Sequence, residues 1–444
     1  MSIRSTLPNV SKLGQYHGVS LTAEQVSWGA DAAQTHRICG SNDSGSFYAG
    51  QHIRGNRVRE RLGFGRPVLL ALATAVLLTA GLGFLSLRTK ALQSLDYWTA
   101  DWRSAVLADR ASTQHQGVAV VLVDDDAIEG LPYRSPIDRG LMARLVDAVN
   151  DARPAAIGLD FLFDQATEPA KDRELLAAIS RARPRIVIGD LDVRIPLSEG
   201  RHAFLKTFLG SAGAKTGFVN LRYEMDQVVR AEADRPMEEG RGDSFAAMVA
   251  SIGAGAVPPP AGRIAWLGTP ADGSDTFLVV PAGTLLADKI EPERQLAALM
   301  RAQLAGRVVL IGGDLAGQSD RHATPLKKLD GEAMPGVLIH AHLVAQYIDG
   351  RRFHSIAPLA ELASVFVISI AGFFVGWVWY QTGIALGIAP MLALAALDAA
   401  LFVGLRLTIP FAGLAIAWLV AAFFGRSDRW WRERTYRNRL QGAI

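Results

Sequence analysis

Long apolar runs and short alternating segments divide the chain. Residues 67–87, PVLLALATAVLLTAGLGFLSL, carry no charge and are bounded by Arg66 and Arg88. At about 1.5 Å per residue this run reaches roughly 30 Å, the hydrocarbon thickness of a bilayer. Its apolar residues fall on every side rather than on one face, which marks a membrane span and not a helix of a globular core. Three more such stretches follow over 357–380, 383–403 and 407–424, joined by a few residues each. Four transmembrane helices are therefore expected, the last three as antiparallel neighbours.

Between the first run and the other three, residues 88–356 change character. Short runs rich in Val and Ile predict buried strands over 118–123, 155–161, 185–188, 216–221, 277–280 and 308–311. Helical spacing predicts helices between several of them, over 137–149, 172–183 and 292–304. Strands alternating with helices give an α/β domain, a mainly parallel sheet within three layers. The stretch 222–260 breaks the rhythm with an acidic run and then Pro258, Pro259 and Pro260, and reads as a peripheral loop or insertion.

Charge then orients the chain. Arg54, Arg57, Arg59, Arg61 and Arg66 precede the first span, and Arg426, Arg429, Arg432, Arg434, Arg437 and Arg439 follow the last. Basic residues beside spans stay on the cytoplasmic side, and four crossings return the chain to its starting side. Both termini are expected inside and the α/β domain outside, across a bacterial inner membrane: periplasmic in a Gram-negative cell, extracellular otherwise. Residues 1–66 form a basic tail whose first 53 positions show no sustained period and are expected to be disordered. Residues 425–444 form a second basic tail, where Trp430, Trp431 and Tyr436 suggest either a segment lying in the interface or an ordinary basic flank. The first run lies too far from the start for a cleaved signal peptide, so it is a retained anchor. Cys39 is the lone cysteine, which excludes an intramolecular disulfide. The formal charge is only +3, and its arginines flank the spans, which argues against a nucleic-acid-binding face.

Ligands of open parallel sheets bind beyond the carboxyl ends of the strands. Asp124, Asp160 and Asp314 fall at such ends, while Arg134, Asp320 and His322 lie in loops of the same edge. These six are the candidate ligand-binding residues. A second reading stands beside it: the carboxylates cap helices and pair with Arg103, Arg139 and Arg321 to hold loops. Enzyme signatures are incomplete. Gly312 to Ser319 has phosphate-loop spacing but Gln318 in place of the lysine, and Gly317-Gln-Ser319-Asp-Arg321 lacks the closing glycine of a nucleophile elbow. His340 and His342 are two apart and point to different helix faces, so they do not chelate together. The strand-end carboxylates keep a metal-dependent hydrolase open, with no metal specified. In the third span, Asp398 is either a signal-coupling residue bonded between helices or a carboxylate wetted near the outer end.

One set of motifs carries a resemblance. Asp101-Trp102-Arg103, VAVVLVDDDAI at 118–128, Arg134-Ser135-Pro136, GLDFLF at 158–163, TGFVNL at 216–221, VVLIGGDLAGQSDRHATP at 308–325 and MPGVLIHAHLVAQYI at 334–348 occur in this order. Over about 95–352 the chain resembles the CHASE2 family of extracytoplasmic sensory domains. The resemblance implies one helix before the domain and three after it, as found here. It also implies signal input to receptors whose cytoplasmic ends are histidine kinases, nucleotide cyclases or serine/threonine kinases. About 20 residues follow Phe424, fewer than such an output domain needs, so the expected output is a separate signalling partner. The expected associations are the lipid bilayer, that partner and a possible homodimer; no cofactor is expected, and the sequence names no ligand. A scaffold subunit of an envelope complex and a hydrolase using the Asp cluster are the alternatives.

Overall fold

The computed structural model describes residues 66–86, 90–191, 197–234, 243–256, 262–287, 290–317, 320–381 and 385–442. The tail read over 1–66 lies outside the described residues except for Arg66, and so do Gln318 and Ser319. Helix α1 (Arg66–Ser86) covers the first apolar run, and α2 (Lys90–Val106) follows it. The sequence reading assigned no helix to 90–106. Its spacing turns Leu95, Trp98, Trp102 and Val106 outward and buries Asp101 and Arg103. That face is inverted relative to a soluble helix, and exposed tryptophans suit a membrane–water boundary.

The α/β domain begins with four strands joined by three helices: β1 (Val118–Val123), α3 (Arg139–Asp151), β2 (Ala156–Asp160), α4 (Pro169–Ala182), β3 (Ile186–Asp190), α5 (Glu199–Ala212) and β4 (Lys215–Phe218). A hairpin of β5 (Leu221–Tyr223) and β6 (Val229–Glu232) leads to α6 (Phe245–Ala254). Then come β7 (Leu278–Pro281), α7 (Ala282–Leu286), α8 (Glu291–Leu304) and β8 (Val308–Gly313). The short β9 (Arg321–His322), α9 (Lys327–Asp330) and β10 (Met334–Pro335) precede α10 (Gly336–Ile348) and β11 (His354–Ser355).

The main sheet has the order β4-β3-β2-β8-β1-β7, and all its pairings are parallel. Its central strands are β-branched and buried on both faces, as parallel sheets require. One face packs Leu145, Leu175, Phe208, Leu285 and Leu304 from α3, α4, α5, α7 and α8. The other packs Phe245 and Val249 of α6 with Val337 and Leu343 of α10. These are the three expected layers.

The loop reading of 222–260 is corrected over its described residues; 235–242 and 257–260, with Pro258, Pro259 and Pro260, lie outside them. All four residues of β6 are buried, and α6 buries Phe245, Ala246, Ala247, Val249 and Ala250, with the Ser244 hydroxyl capping its first turn. Helix α6 is short, small-residued and apolar almost all round, so it shows little helical stripe despite its place in the core.

Among the described residues, three helices are long and apolar enough to cross a membrane: α11 (Pro358–Val378), α12 (Ala385–Leu405) from Gly387 onward, and α13 (Phe411–Gln441). The two-residue β12 (Leu407–Thr408) joins α12 to α13 and pairs with β11. Helices α11 and α13 lie backbone to backbone. A Cβ on Gly376 would run into Ala422 O and one on Gly425 into Phe373 O, so only glycine permits this approach. Ala75 of α1 is buried against Phe373 and Ala421 of the same pair. Helix α13 does not end at 424. It continues through the basic tail, where Asp428 and Arg432, and Glu433 and Arg429, pair one turn apart.

Candidate functional site

Because β8 is inserted between β1 and β2, the ends of three neighbouring strands share one stretch of edge. Asp160 lies opposite Gly312, Val123 lies opposite Gly313, and Asp124 and Asp314 follow them. The six candidate residues do not converge on one point there; they form two groups with different chemistry.

The first group fastens loops. The Asp124 carboxylate accepts from Ala127 N at 3.0 Å and caps the single helical turn Asp126–Ile128. Arg134 reaches Asp125 rather than Asp124, and the other Asp125 oxygen accepts from Ala316 N at 3.1 Å. Asp314 is held in a two-pronged clasp by Arg321, at 2.7 and 2.6 Å, and Arg321 also donates to Ala333 O. Asp124, Arg134 and Asp314 thus follow the capping and loop-holding reading. Arg139 is wholly buried beside Asp172 and over the Phe163 ring, also tying loop to helix. Arg103, read with these arginines, goes elsewhere.

The second group is a proton-bearing cluster that runs inward from the exposed Asp320 and Tyr223, through His322, to the buried Asp160 and His340. His322 Nε2 lies 3.0 Å from Asp320, and His322 Nδ1 lies 2.8 Å from the Tyr223 hydroxyl at the β5 end of the hairpin. Beneath them, Asp160 has a side chain only 10% exposed, with Oδ1 4.0 Å from His340 Nε2. Burial, followed by the negative charge of Asp320, pushes the Asp160 carboxyl up to about 8, while His322 pulls it back. Burial pushes His340 down to about 4 against the opposing pull of Asp320 and Glu232. At neutral pH the carboxyl is therefore protonated and the imidazole neutral, so their contact is not an ion pair. The Phe245 ring edge covers His340, whose Nδ1 is buried without a hydrogen-bond partner. Sequence reasoning placed Asp160, Asp320 and His322 at this edge, weighed His340 only as a metal ligand, and did not single out Tyr223. Only the fold brings α10 and the hairpin onto this edge.

His342 faces the other way, as its spacing predicts. Its Nδ1 accepts from Leu267 N at 3.3 Å, and burial pushes its pKa down to about 3. Among the described residues no three His, Cys, Asp or Glu side chains are arranged as metal ligands, so no metal centre is built from them.

A second site joins the domain to the membrane helices. Asp398 of α12 is not wetted by solvent; it accepts from Arg103 Nη1 at 2.5 Å, with side-chain exposures of 11% and 6%. Arg103 also lies over the Phe402 ring and donates to Ile409 O at 3.4 Å. On the same helix Asp101 takes a two-pronged bond from Arg230 of β6, at 2.6 and 2.9 Å. Asp96 accepts from Ala412 N and Gly413 N, capping α13. Helix α2 therefore grips β6 on one side and α12 and α13 on the other. The signal available in the sequence was the inverted pattern of α2, whose charges are spaced among tryptophans.

The sequence profile of the CHASE2 domain matches residues 72–376, from inside α1 to inside α11. The chain belongs to the CHASE2 family. No curated protein and no solved structure matches it. CHASE2 domains are extracytoplasmic sensory domains, and this one is joined to helices apolar enough to span a bilayer. The protein is thus a membrane-anchored CHASE2 sensor.

Proposed function

We propose that the protein senses an input outside the cytoplasm and relays it, through α2 and the membrane helices, to a separate signalling protein. In this reading α1 is a fourth span, both termini are cytoplasmic, and the membrane is the bacterial inner membrane. The observation that carries the reading is the double attachment of α2: Asp101 to the sensor domain, Arg103 and Asp96 to α12 and α13. An input that shifts β6 changes the position of α2, and the buried Arg103–Asp398 pair transfers that change to α12. On the far side α13 presents exposed Trp430 and Trp431 beside its basic residues, a surface suited to a partner. Packing of α1, α11 and α13 at small residues is also compatible with a homodimer that rearranges on input. The Asp160 cluster, in this reading, holds the hairpin end near β6 rather than performing chemistry.

Reporter fusions test the arrangement. Alkaline phosphatase fused near residue 200 should be active, and a fusion after residue 430 should be inactive. An Asp398→Asn chain expressed from its own locus should reproduce the transcriptional change caused by deletion. A cytoplasmic residue 200, or an Asp398→Asn profile identical to wild type where deletion has an effect, overturns the reading.

A further inference from the structure

A cavity of about 500 Å³ opens beside the α2 attachment, between the β5–β6 hairpin and the segment leading into α11. Four guanidinium groups line it, those of Arg222, Arg230, Arg263 and Arg352, against the single carboxylate of Glu224. Two of the four are already matched. Arg222 lies near Glu224 and Asp234, and Arg230 is bonded to Asp101 and Asp226. Arg263 and Arg352 have no carboxylate within ion-pair distance among the described residues. Arg263 is only half-buried in its accessible surface yet strongly desolvated. Burial, and then the like charges of Arg103 and Arg230, press its guanidinium down against the weaker opposing pull of Glu224 and Asp101. An unmatched cation in such a place is costly unless an anion occupies the space before it.

We propose that this cavity binds a phosphate-bearing molecule, with Arg263 and Arg352 as the principal oxyanion ligands. Guanidinium groups bind phosphate oxygens in pairs, and the volume fits a small organic body beyond the phosphate. Arg352, Phe353, His354 and Ser355 all line the cavity, and α11 begins at Pro358. The site thus stands at the expected membrane surface, where the phosphate arrives either on a lipid headgroup or on a soluble molecule. Arg230 belongs both to the cavity wall and to the Asp101 bond that holds α2. Occupancy would thereby act on the linkage described above. The ligand assignment deepens the sensor reading and rests on it for meaning, although binding itself is measurable without any signalling output.

The test uses the full chain in neutral detergent and in nanodiscs, with thermal midpoint and affinity as readouts. Three probes are compared: inorganic phosphate, glycerol 3-phosphate, and phosphatidylglycerol mixed into phosphatidylcholine nanodiscs. A midpoint rise with glycerol 3-phosphate in detergent supports a soluble ligand, and a rise only with phosphatidylglycerol supports a headgroup. Either response should weaken at least about tenfold in Arg352→Ala, whose side chain is exposed and outside the packed core, and in Arg263→Ala. Arg181→Ala, far along α4, should respond as wild type. No rise with any probe, a response to phosphate equal to that in chloride of the same ionic strength, or binding unchanged in Arg352→Ala overturns the proposal. Those results leave the reporter-fusion and Asp398→Asn tests untouched, so failure of the ligand assignment and failure of the sensor reading are distinguishable.

Discussion

Arg103 Nη1 lies 2.5 Å from Asp398 Oδ1, joining residues 295 positions apart in the chain. Each is the other's close charge partner in a site shielded from water. An Asp398→Leu or Arg103→Met chain should therefore lose about 3–5 kcal/mol, because one charge is left buried and alone. The Arg103→Met/Asp398→Leu double variant should recover most of that loss. Thermal unfolding of the full chain in one detergent measures all three, and a double variant no better than the singles would show that the pair is not coupled.

Replacing Asp101 with Asn removes the α2 charge that Arg230 grips, while Asp226 in the β5–β6 turn still holds Arg230. The expected cost is about 1–3 kcal/mol. The loss should be concentrated in amide-exchange protection of β5, β6 and α2. Even loss across β1, β2 and β8 would contradict the local role given to this bond.

Stability should depend on pH in two opposed windows. His340 and His342 have folded pKa values of about 4 and 3, below the ordinary 6.5, so the unfolded chain binds more protons and stability falls as pH drops from about 6.5 toward 4. Asp160 is raised from 3.8 to about 8, so its contribution is complete below about 4 and is lost as pH rises through 8. Between those pH values two histidines outweigh one carboxyl, which places the maximum near pH 6.5. Asp160→Asn should abolish roughly 1–2 kcal/mol of the loss between pH 6.5 and 8. Urea titrations at three pH values check it, and an unaltered alkaline slope in the variant would refute the assignment.

The contact of α11 with α13 predicts a steric penalty. Gly376→Leu places a side chain where the Ala422 carbonyl stands and should destabilise the helix pair by about 1–3 kcal/mol. Leu359→Ala, at a side chain 79% exposed, is the control and should be silent. The midpoint of the full chain in detergent separates the two.

Much of the fold was legible because its causes are local. The Val-rich β1 and β8 announce themselves by β-branched content, and α3, α4 and α8 by apolar spacing. The position of β8 between β1 and β2 was not legible, since pairing order depends on contacts remote in sequence. The same limit applies to the site. Strand-end carboxylates were foreseeable, but their partners were not: Arg134 selects Asp125, Arg321 closes on Asp314, and Asp160 acquires its proton from burial under α10. Helix α2 was missed because its apolar residues face outward, opposite to the pattern that identifies a helix of a soluble core.

Helix α13 runs unbroken for 31 residues, about 46 Å along its axis, from the Asp96 cap to the basic residues of its far end. In the relay proposed above, such a member acts as a push-rod. A tilt or slide imposed at its capped end reaches the opposite end at nearly full amplitude, because no hinge absorbs it. Whatever docks against Trp431 would then feel movement outside the bilayer as a mechanical stroke, with no messenger crossing the lipid.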